Sequence, residues 1–532
     1  MRGSCRLIKA IQALLRGAFD VAERGLDRLF GSQANPLAQL GALGYFLFWI
    51  VAASGFYVFA LFDTGVTRAF DSVEWMSGSQ WWHAGVMRSF HRYASDLMIV
   101  VMALHLAREF ALDRFRGARW FSWFTGIPLI AFLYVSGITG YWLVWDKLAQ
   151  YIATTSTELL DWMPIFGEPI ARNFLDPSAL SDRFFTLLVF LHIAVPIVLL
   201  FVMWIHIQRI SRPKVNPPRL LGAIVLVALL VVSLAIPAVS QGPANLARVP
   251  SPVQLDSLYL VLYPFADRAP GAAWGALTAI GLILSIVPFL PPRRQPAAAK
   301  VYLDHCNGCG RCVDDCPYEA LRLTRRTDGA VYQSEAIVDA SKCVSCGICV
   351  GSCPSSTPFR RSQDLVTGID LPDYPLARMR ADLVSACAAM TGGPRVLAIT
   401  CKYGGGASLR AGADLAVLEL PCVAMAPPSL IDFALSRRHA DGVAVVGCSD
   451  RSCHNRLGVE WTRQRFAQER DPYLRTRVPR ERLATIWASS TETSAAEREV
   501  VALRARLSTL PPPSSTPPSP VASDRIRERT LS

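Results

Sequence analysis

The chain has 532 residues, a formal net charge of +12 and a hydrophobic content of 52%, while charged residues make up 18%. This length exceeds the usual size of one domain, so the sequence predicts several domains. No nucleic-acid-binding motif accompanies the positive charge. That partner is therefore excluded, and the charge instead favours basic loops beside anionic membrane lipid.

Apolar residues are concentrated before residue 292, in six stretches that are each long enough to span a bilayer. These stretches lie near residues 40–62, 89–108, 122–145, 184–207, 220–240 and 271–290. Ahead of them, residues 1–34 predict an amphipathic helix on the membrane surface. Basic residues cluster at 2–28, 108–119, 209–219 and 293–300. The positive-inside rule therefore predicts a multi-pass protein of a bacterial cytoplasmic membrane, with both termini in the cytoplasm.

Four histidines lie inside the second and fourth stretches at one repeated spacing. His91 and His105 are fourteen residues apart, and so are His192 and His206. Fourteen residues return to nearly the same helix face after a rise of roughly 21 Å, and imidazole inside a membrane is rare unless it faces the bundle interior. We therefore expect His91 to pair with His192 near the outer face, and His105 with His206 near the cytoplasm. Such pairs can ligate two b-type haems; histidines that only pack helices are the alternative.

Glycines repeat the same spacing on the two neighbouring stretches. Gly41 and Gly55 lie on the first stretch, and Gly126 and Gly140 lie on the third. A flat macrocycle needs surface free of side chains beside it, and glycine supplies that surface because it has no Cβ. Close helix packing is the alternative explanation for any one pair.

Residues 10–290 resemble the cytochrome b of quinol-oxidising complexes, most closely the short, split plastoquinol type. The resemblance is carried by Arg88-Ser89-Phe90-His91-Arg92-Tyr93, Thr139-Gly140-Tyr141 and Trp145-Asp146. It implies a six-span helical bundle over residues 35–292 that binds two haem b groups, with Arg88 and the four glycines beside them. It also implies quinone or quinol as substrate and is compatible with a homodimer.

The segment that follows the fifth stretch resembles the start of subunit IV of the plastoquinol complex. In that family a T-P-x-x-I-x-P-E-W-Y run contains a glutamate that accepts a proton from quinol. Aligned on Ser251-Pro252, this chain has Leu258 at the glutamate position. Asp256 is the carboxylate close by, and it can take the proton if the loop aims it at the pocket. An ordinary loop aspartate is the alternative, and a quinone pocket on the cytoplasmic side also stays open.

Residues 298–360 contain the cysteine pattern C-x2-C-x2-C-x3-C-P twice, with an offset of 37 residues. This pattern resembles the bacterial two-cluster ferredoxin, in which the fourth cysteine of each repeat binds the other cluster. The resemblance implies two 4Fe–4S clusters, one on Cys306, Cys309, Cys312 and Cys353, the other on Cys343, Cys346, Cys349 and Cys316. Structural zinc is the alternative.

Residues 394–490 predict a small α/β layer with a parallel sheet, after a polar connector at 361–393. Strands are predicted at 396–399, 416–420 and 443–446. Four cysteines fall at or just beyond strand ends, where open α/β sheets place their sites: Cys401, Cys422, Cys448 and Cys453. The motifs around them, C-x-Y-x-G, P-C and G-C-x4-C-H, resemble the small delta subunit of methyl-viologen-reducing hydrogenases. The resemblance implies a 2Fe–2S cluster, and zinc on the same thiolates is the alternative.

The predicted fold class is thus a mainly α membrane protein joined to a cytoplasmic α+β ferredoxin domain and a small α/β domain. The resemblances imply an enzyme subunit that links membrane quinone, through haems and clusters, to a cytoplasmic flavoprotein, hydrogenase or formate dehydrogenase. A non-catalytic wiring and docking module without a quinone site is the alternative, and a redox sensor is disfavoured because no output domain is evident. Residues 508–532 are rich in Pro and Ser and predict a disordered tail.

Overall fold

The protein folds as two compact units, Met1–Gln295 and Pro296–Ser532. The computed structural model describes residues 2–31, 34–165, 168–170, 180–208, 213, 215–290, 296–360, 365–450 and 452–511. The predicted tail from 512 onward lies outside the described residues, as do the basic loop residues at 209–212, 214 and 291–295.

In its described residues, the first unit consists of helices joined by loops. Its α-helices are α1 (Arg2–Phe30), α2 (Leu40–Leu61), α3 (Ala69–Ser77), α4 (Val86–Ala111), α5 (Trp120–Val144), α6 (Lys147–Asp161), α7 (Asp182–Ile207), α8 (Arg219–Ala235), α9 (Tyr263–Arg268) and α10 (Pro270–Ile286). Four segments of the described chain are long and apolar enough to cross a membrane: Pro36–Leu61, Trp120–Val144, Phe185–Ile207 and Pro270–Phe289.

The other two predicted spans are also helices, but each differs from an ordinary span in one respect. Helix α4 has 26 residues and is interrupted by charged side chains such as Arg92, Asp96 and Arg108. Helix α8 is apolar but has only 17 residues, so it is about 26 Å long, less than the roughly 30 Å of a hydrocarbon core. The count of six spans therefore stays a prediction.

Helix packing brings the histidine helices against the glycine helices. Helix α2 packs on α4, and α5 packs on α7. Helix α1 lies against the end of α4, where Gln12 Nε2 donates to the carbonyl of Phe110 at 2.8 Å. The buried side chains of Glu23 and Arg108 form an ion pair at 2.9 Å, so α1 is fixed to the bundle as well as amphipathic.

The long segment between α8 and α9 is fastened to the corner between α5 and α6. Asp146 caps α6 by accepting from the amide of Ala149 at 2.8 Å, and it also accepts from the amide of Gln241 at 2.8 Å. Gln150 donates to the carbonyls of Asn245 and Arg248. These bonds position the segment that contains Asp256.

The second unit combines small antiparallel pairs with one parallel sheet. Its strands are β1 (Lys300–Val301), β2 (Leu321–Arg325), β3 (Ser334–Val338), β4 (Ile369–Asp370), β5 (Val396–Cys401), β6 (Leu415–Leu420), β7 (Gly442–Gly447) and β8 (Leu483–Trp487). Its α-helices are α11 (Arg311–Asp314), α12 (Ile348–Ser352), α13 (Leu376–Ala388), α14 (Pro428–Ser436), α15 (Gly458–Phe466) and α16 (Thr493–Thr509).

The parallel sheet has the order β6-β5-β7-β8. The three predicted strands are present as β5, β6 and β7. Strand β8 lies within the predicted range but was not predicted, and α16 lies beyond residue 490. Helix α16 packs on the sheet through Ala496, Val500 and Leu503. These positions follow the helical period of 3.6 residues, so the domain extends to Thr509.

The predicted polar connector at 361–393 is in its described part an ordered piece of the core, which corrects that expectation. Strand β4 pairs with β1 of the ferredoxin-like region. Helix α13 buries Leu376, Met379 and Leu383 in a hydrophobic core that includes residues of both cysteine-containing regions. The ferredoxin-like and delta-subunit-like regions therefore share one interior.

Candidate redox centres

The four histidines form the two neighbouring pairs that the spacing predicts. His192 on α7 neighbours His91 on α4, and His206 on α7 neighbours His105 on α4. The two imidazoles of α4 face α2, and the two imidazoles of α7 face α5.

Each glycine of the repeated pattern lies opposite one histidine. A Cβ built on Gly55 would be 2.9 Å from His91 Cε1, and one on Gly140 would be 3.0 Å from His192 Cε1. At Gly41 and Gly126 the distances to the facing imidazoles, of His105 and His206, are 3.5 Å. The glycines therefore make room for the imidazoles themselves, in addition to the surface for a macrocycle that the sequence predicts.

Hydroxyl groups beside three of these glycines orient the facing imidazoles. Thr139 Oγ1 lies 3.1 Å from His192 Nδ1, and Thr125 Oγ1 lies 3.0 Å from His206 Nδ1. Ser54 Oγ lies 3.1 Å from Nδ1 of His91.

Each of these hydroxyls also donates to a carbonyl of its own helix; Thr139, for example, donates to the carbonyl of Val135 at 2.9 Å. Its oxygen is thus left to accept from the Nδ1–H of His192. That tautomer presents the Nε2 lone pair to a metal, as in other histidine-ligated sites. The residues present therefore fit bis-imidazole ligation.

Arg88, predicted to lie beside a cofactor, is near the start of α4. Its guanidinium donates to Ser77 Oγ and, at 3.0 Å, to Ser240 Oγ. Arg88 thus connects α4 to the segment after α8.

Asp256 is held as a carboxylate rather than left free in its loop. Its Oδ2 accepts from Arg92 at 2.7 Å, and its Oδ1 accepts from the amides of Leu258 and Tyr259 at 2.6 and 2.7 Å. Although burial opposes the charged form, these two amides and Arg92 lower the pKa of Asp256 below its ordinary value. The geometry suits an ion-paired loop anchor at least as well as a proton acceptor.

Sequence reasoning assigned no role to two residues near Asp256, namely Asp96 and Tyr259. Asp96 also contacts Arg92, at 3.3 Å, and within the described chain its Oδ1 has no hydrogen-bond partner. Tyr259 is buried and hydrogen-bonds with Ser95 Oγ at 2.7 Å. A Cβ on Gly137 would overlap the ring of Tyr259. The spacing of four residues between Arg92 and Asp96 on α4 was the sequence feature from which their ion pair could have been predicted.

The ferredoxin-like cysteines form the two crossed groups that the resemblance implies. Cys312 is near Cys353, Cys309 and Cys306, and these four line one cavity. Cys346 is near Cys316 and Cys343, and Cys349 completes that group. Burial raises the pKa of the Cys312 and Cys346 thiols to about 12, so cluster binding must displace their protons.

The four remaining predicted ligands also meet at one place. The sulfurs of Cys401 and Cys448 are 3.4 Å apart. Cys453 contacts Cys448, and Cys422 is near both Cys453 and Cys448. Beside them the rings of Tyr403 and His454 stack at 3.6 Å. Thiolates are the ligands that iron–sulfur and zinc centres use, and metal binding by these four cysteines stays a prediction.

Family models match three successive regions of the chain. Residues 11–213 match the family of cytochrome b, b6 and petB. Residues 305–357 match the 4Fe–4S dicluster domain, and residues 400–510 match the delta subunit of methyl-viologen-reducing hydrogenase. A protein that combines haem b, iron–sulfur clusters and membrane-spanning helices is a membrane electron-transfer protein. This one is a fusion of cytochrome b, two-cluster ferredoxin and hydrogenase delta-subunit regions.

Among solved structures, a hyperthermophilic respiratory Complex III is similar to part of this chain. The two are 21% identical with a TM-score of 0.38, over 47% of this chain and 74% of that one. The cytochrome b match ends at residue 213, so the likeness of residues 248–260 to subunit IV stays a prediction.

Proposed function

We propose that this protein is the membrane subunit of a quinone-linked oxidoreductase. It connects the quinone pool, through two b haems and iron–sulfur clusters, to a cytoplasmic redox enzyme. The partner would be a hydrogenase, a formate dehydrogenase or a flavoprotein of the heterodisulfide-reductase type. The observation that carries the proposal is the set of two histidine pairs, each facing glycines, in the same chain as twelve clustered cysteines.

Individual residues have the following proposed roles. The haem ligands are His91 with His192 and His105 with His206, and the cubane ligands are the two crossed cysteine groups. Bound haem and clusters supply one-electron chemistry. The protein's hydroxyl groups orient the imidazoles through Nδ1, and its glycines let α2 approach α4 and α5 approach α7. Its buried thiols lie where clusters can displace their protons.

The proton released on quinol oxidation would be handled by the outer group of Arg92, Asp96 and Asp256. Asp256 is the residue singled out by its place in the sequence. Asp96 shares Arg92 with it and has an oxygen without a hydrogen bond in the described chain. The two carboxylates can be substituted separately, because Asp96 contacts Nε of Arg92 and Asp256 contacts its Nη2.

We assign a 2Fe–2S cluster rather than zinc to Cys401, Cys422, Cys448 and Cys453. The assignment is supported by the delta-subunit match and by the position of this group beside other cysteine centres. Metal analysis separates the alternatives. We expect about five non-haem irons per haem with a 2Fe–2S cluster, and about four with zinc.

The proposed location is a bacterial cytoplasmic membrane, with six spans and with both termini and the cluster domains in the cytoplasm. The basic loops and the membrane-length helices support it. Periplasmic accessibility of a cysteine introduced at Asp63, in the loop after α2, would test this orientation.

A wiring and docking module without its own quinone site is the second candidate. Two observations favour it: Leu258 stands where the plastoquinol family has its glutamate, and Asp256 is ion-paired. In that case the haems would receive electrons from another subunit.

The optical spectrum of the b haems in sealed, inverted membranes decides between them. Quinol is added, and dithionite then gives the fully reduced reference. We expect prompt haem reduction that Asp96→Asn or Asp256→Asn slows by about a hundredfold, since general acid–base groups contribute factors of this order. Asp63→Asn, which removes an exposed ion pair with Arg68, is the matched control.

Each outcome has a distinct meaning. Prompt haem reduction that is unchanged in both variants would indicate that quinone reacts on the cytoplasmic side. Reduction by dithionite alone would reject quinol oxidation by this subunit and favour the wiring module.

A further inference from the structure

The second ferredoxin-like cysteine group directly adjoins the delta-subunit-like group. Cys346 is near Cys422 as well as near Cys316 and Cys343. Both cysteines pack on one small apolar cluster that contains Ile348 and Trp461. The first group, around Cys312, has no such contact with Cys422 among the interactions of the described residues.

Glycines allow the two segments to approach closely. A Cβ on Gly347 would be 2.5 Å from the side chain of Met425, and one on Gly351 would be 2.0 Å from the carbonyl oxygen of Ala424. From the opposite side, a Cβ on Gly458 would be 2.5 Å from Cys422 Sγ. Side chains at these positions would push the cysteine groups apart.

A buried ion pair fastens the same junction. The side chains of Arg465 and Asp315 are 1% and 2% exposed, and their closest atoms are 2.6 Å apart. Asp315 precedes Cys316, while Arg465 also donates to the carbonyl of Ala424 at 2.9 Å. Trp461 Nε1 adds a bond to the carbonyl of Asp315 at 3.2 Å.

The positive charge of Arg465 also lies close to cysteines of both proposed metal centres. It donates to Ser352 Oγ at 2.7 Å, next to Cys353, and it is close enough to Cys422 for their charges to interact. Asp315 also pairs with Arg470, so Arg465, Asp315 and Arg470 together determine the electrostatic field at both centres.

We propose that Cys346 and Cys422 are the contact through which electrons pass between the second cubane centre and the delta-subunit-like centre, and that Arg465 is the positioning residue of this contact. The proposal rests on the proposed function, because it requires a redox-active centre at Cys401, Cys422, Cys448 and Cys453. The step transfers one electron: the cubane centre is oxidised, the receiving centre is reduced, and no bond forms or breaks. The reverse direction uses the same contact.

The test is electron paramagnetic resonance of the purified full-length protein during a redox titration. In the wild-type protein we expect the signal of the delta-subunit-like centre to broaden when the cubane centres become reduced, because adjacent paramagnets interact. An unbroadened signal would overturn the contact.

Two charge variants test Arg465 in opposite directions. Arg465→Gln removes a positive charge, so we expect the midpoint potential of the Cys422 centre to fall. Asp315→Asn removes a negative charge, so we expect that potential to rise. Structural damage alone would shift both variants in the same direction, and that result would reject the positioning role.

A matched control lies beside the first cubane centre. Arg326 donates to the carbonyl of Cys306 at 2.5 Å and pairs with Asp328. Arg326→Gln should lower the potential of the cubane centre at Cys306 and leave the Cys422 centre unchanged. A shift at the Cys422 centre equal to that of Arg465→Gln would contradict the assigned junction.

Metal analysis distinguishes failure of this electron-transfer contact from failure of the proposed quinone-linked function. Zinc in place of iron at Cys422 would overturn electron transfer through the contact of Cys346 and Cys422. Haem reduction by quinol would still be tested by the optical spectrum of the haems. Iron at Cys422 with haems that quinol does not reduce would reject the quinone enzyme while the relay stands on its resonance signals.

Discussion

Single hydroxyl groups distinguish the four proposed haem ligands from one another. Three of the four glycines follow Ser54, Thr125 or Thr139, and each of these residues contacts an imidazole Nδ1. Gly41 instead follows Leu40, so His105 faces a glycine with no hydroxyl beside it in the sequence. The two ligands of the pair that is predicted to lie near the cytoplasm, His105 and His206 (the inner pair), therefore have different surroundings.

Thr139→Val tests the orienting hydroxyl at residue scale. Valine has nearly the same shape but cannot accept from His192 Nδ1–H, so we expect haem affinity at the outer pair to fall about tenfold to a hundredfold. The measurement is the rate of haem loss to an excess of apomyoglobin. Thr157→Val is the control, because buried Thr157 makes the same kind of bond to its own helix, to the carbonyl of Ala153. Equal haem loss in the two variants would show that Thr139 acts only in packing.

At the scale of helices, the glycines set how closely α2 approaches α4 and α5 approaches α7. The approach is tighter at His91 and His192, the predicted outer pair, than at His105 and His206. The Cβ distances are 2.9 and 3.0 Å at Gly55 and Gly140, and 3.5 Å at Gly41 and Gly126. Contacts of 3.5 Å are ordinary for carbon atoms. A single methyl group should therefore affect the two pairs differently.

Alanine substitution at these glycines gives the corresponding prediction. We expect Gly55→Ala and Gly140→Ala to displace the facing imidazole and to lose or shift the outer haem signal, whereas Gly41→Ala leaves the histidine contact intact. The two haems are resolved by redox titration of the b-band absorbance. Gly281→Ala on α10, with no atom within 4 Å of the added Cβ, controls for helix propensity. An equal loss of the haem signal in the variants of both histidine pairs would show that these positions are glycine to make room for the macrocycle and not for the imidazole.

Helical period and cysteine spacing are local patterns, and from them the sequence predicts which histidines and which cysteines belong to one site. The close approach of each glycine to an imidazole was not among these predictions, since the glycines were assigned to clearance for a macrocycle. What the sequence did not reveal depends on tertiary contacts. Strand β8 is short and half-exposed, and the ion pairs of Asp256 and Arg465 join residues more than 140 positions apart.

At the scale of the whole molecule, the second unit is one compact body whose hydrophobic core includes residues of both cysteine-containing regions. Its core runs from Cys312 and Cys349 through α13 to the parallel sheet. A small domain with a continuous core usually unfolds in one transition. The cubane centres and the delta-subunit-like centre should therefore lose their clusters together.

Leu383→Ala tests this cooperativity, because Leu383 lies on α13 and is fully buried in the shared core. Truncation of a buried leucine costs about 2–5 kcal/mol. We therefore expect a lower temperature of cluster loss, with the resonance signals of all three proposed centres disappearing over the same range on heating of the full-length protein. Leu323→Ala on β2, where the side chain is 43% exposed, should leave that temperature nearly unchanged. Selective loss of the Cys422 centre in Leu383→Ala, with intact cubane signals, would instead mean that α13 stabilises the sheet alone and that the two regions fold independently.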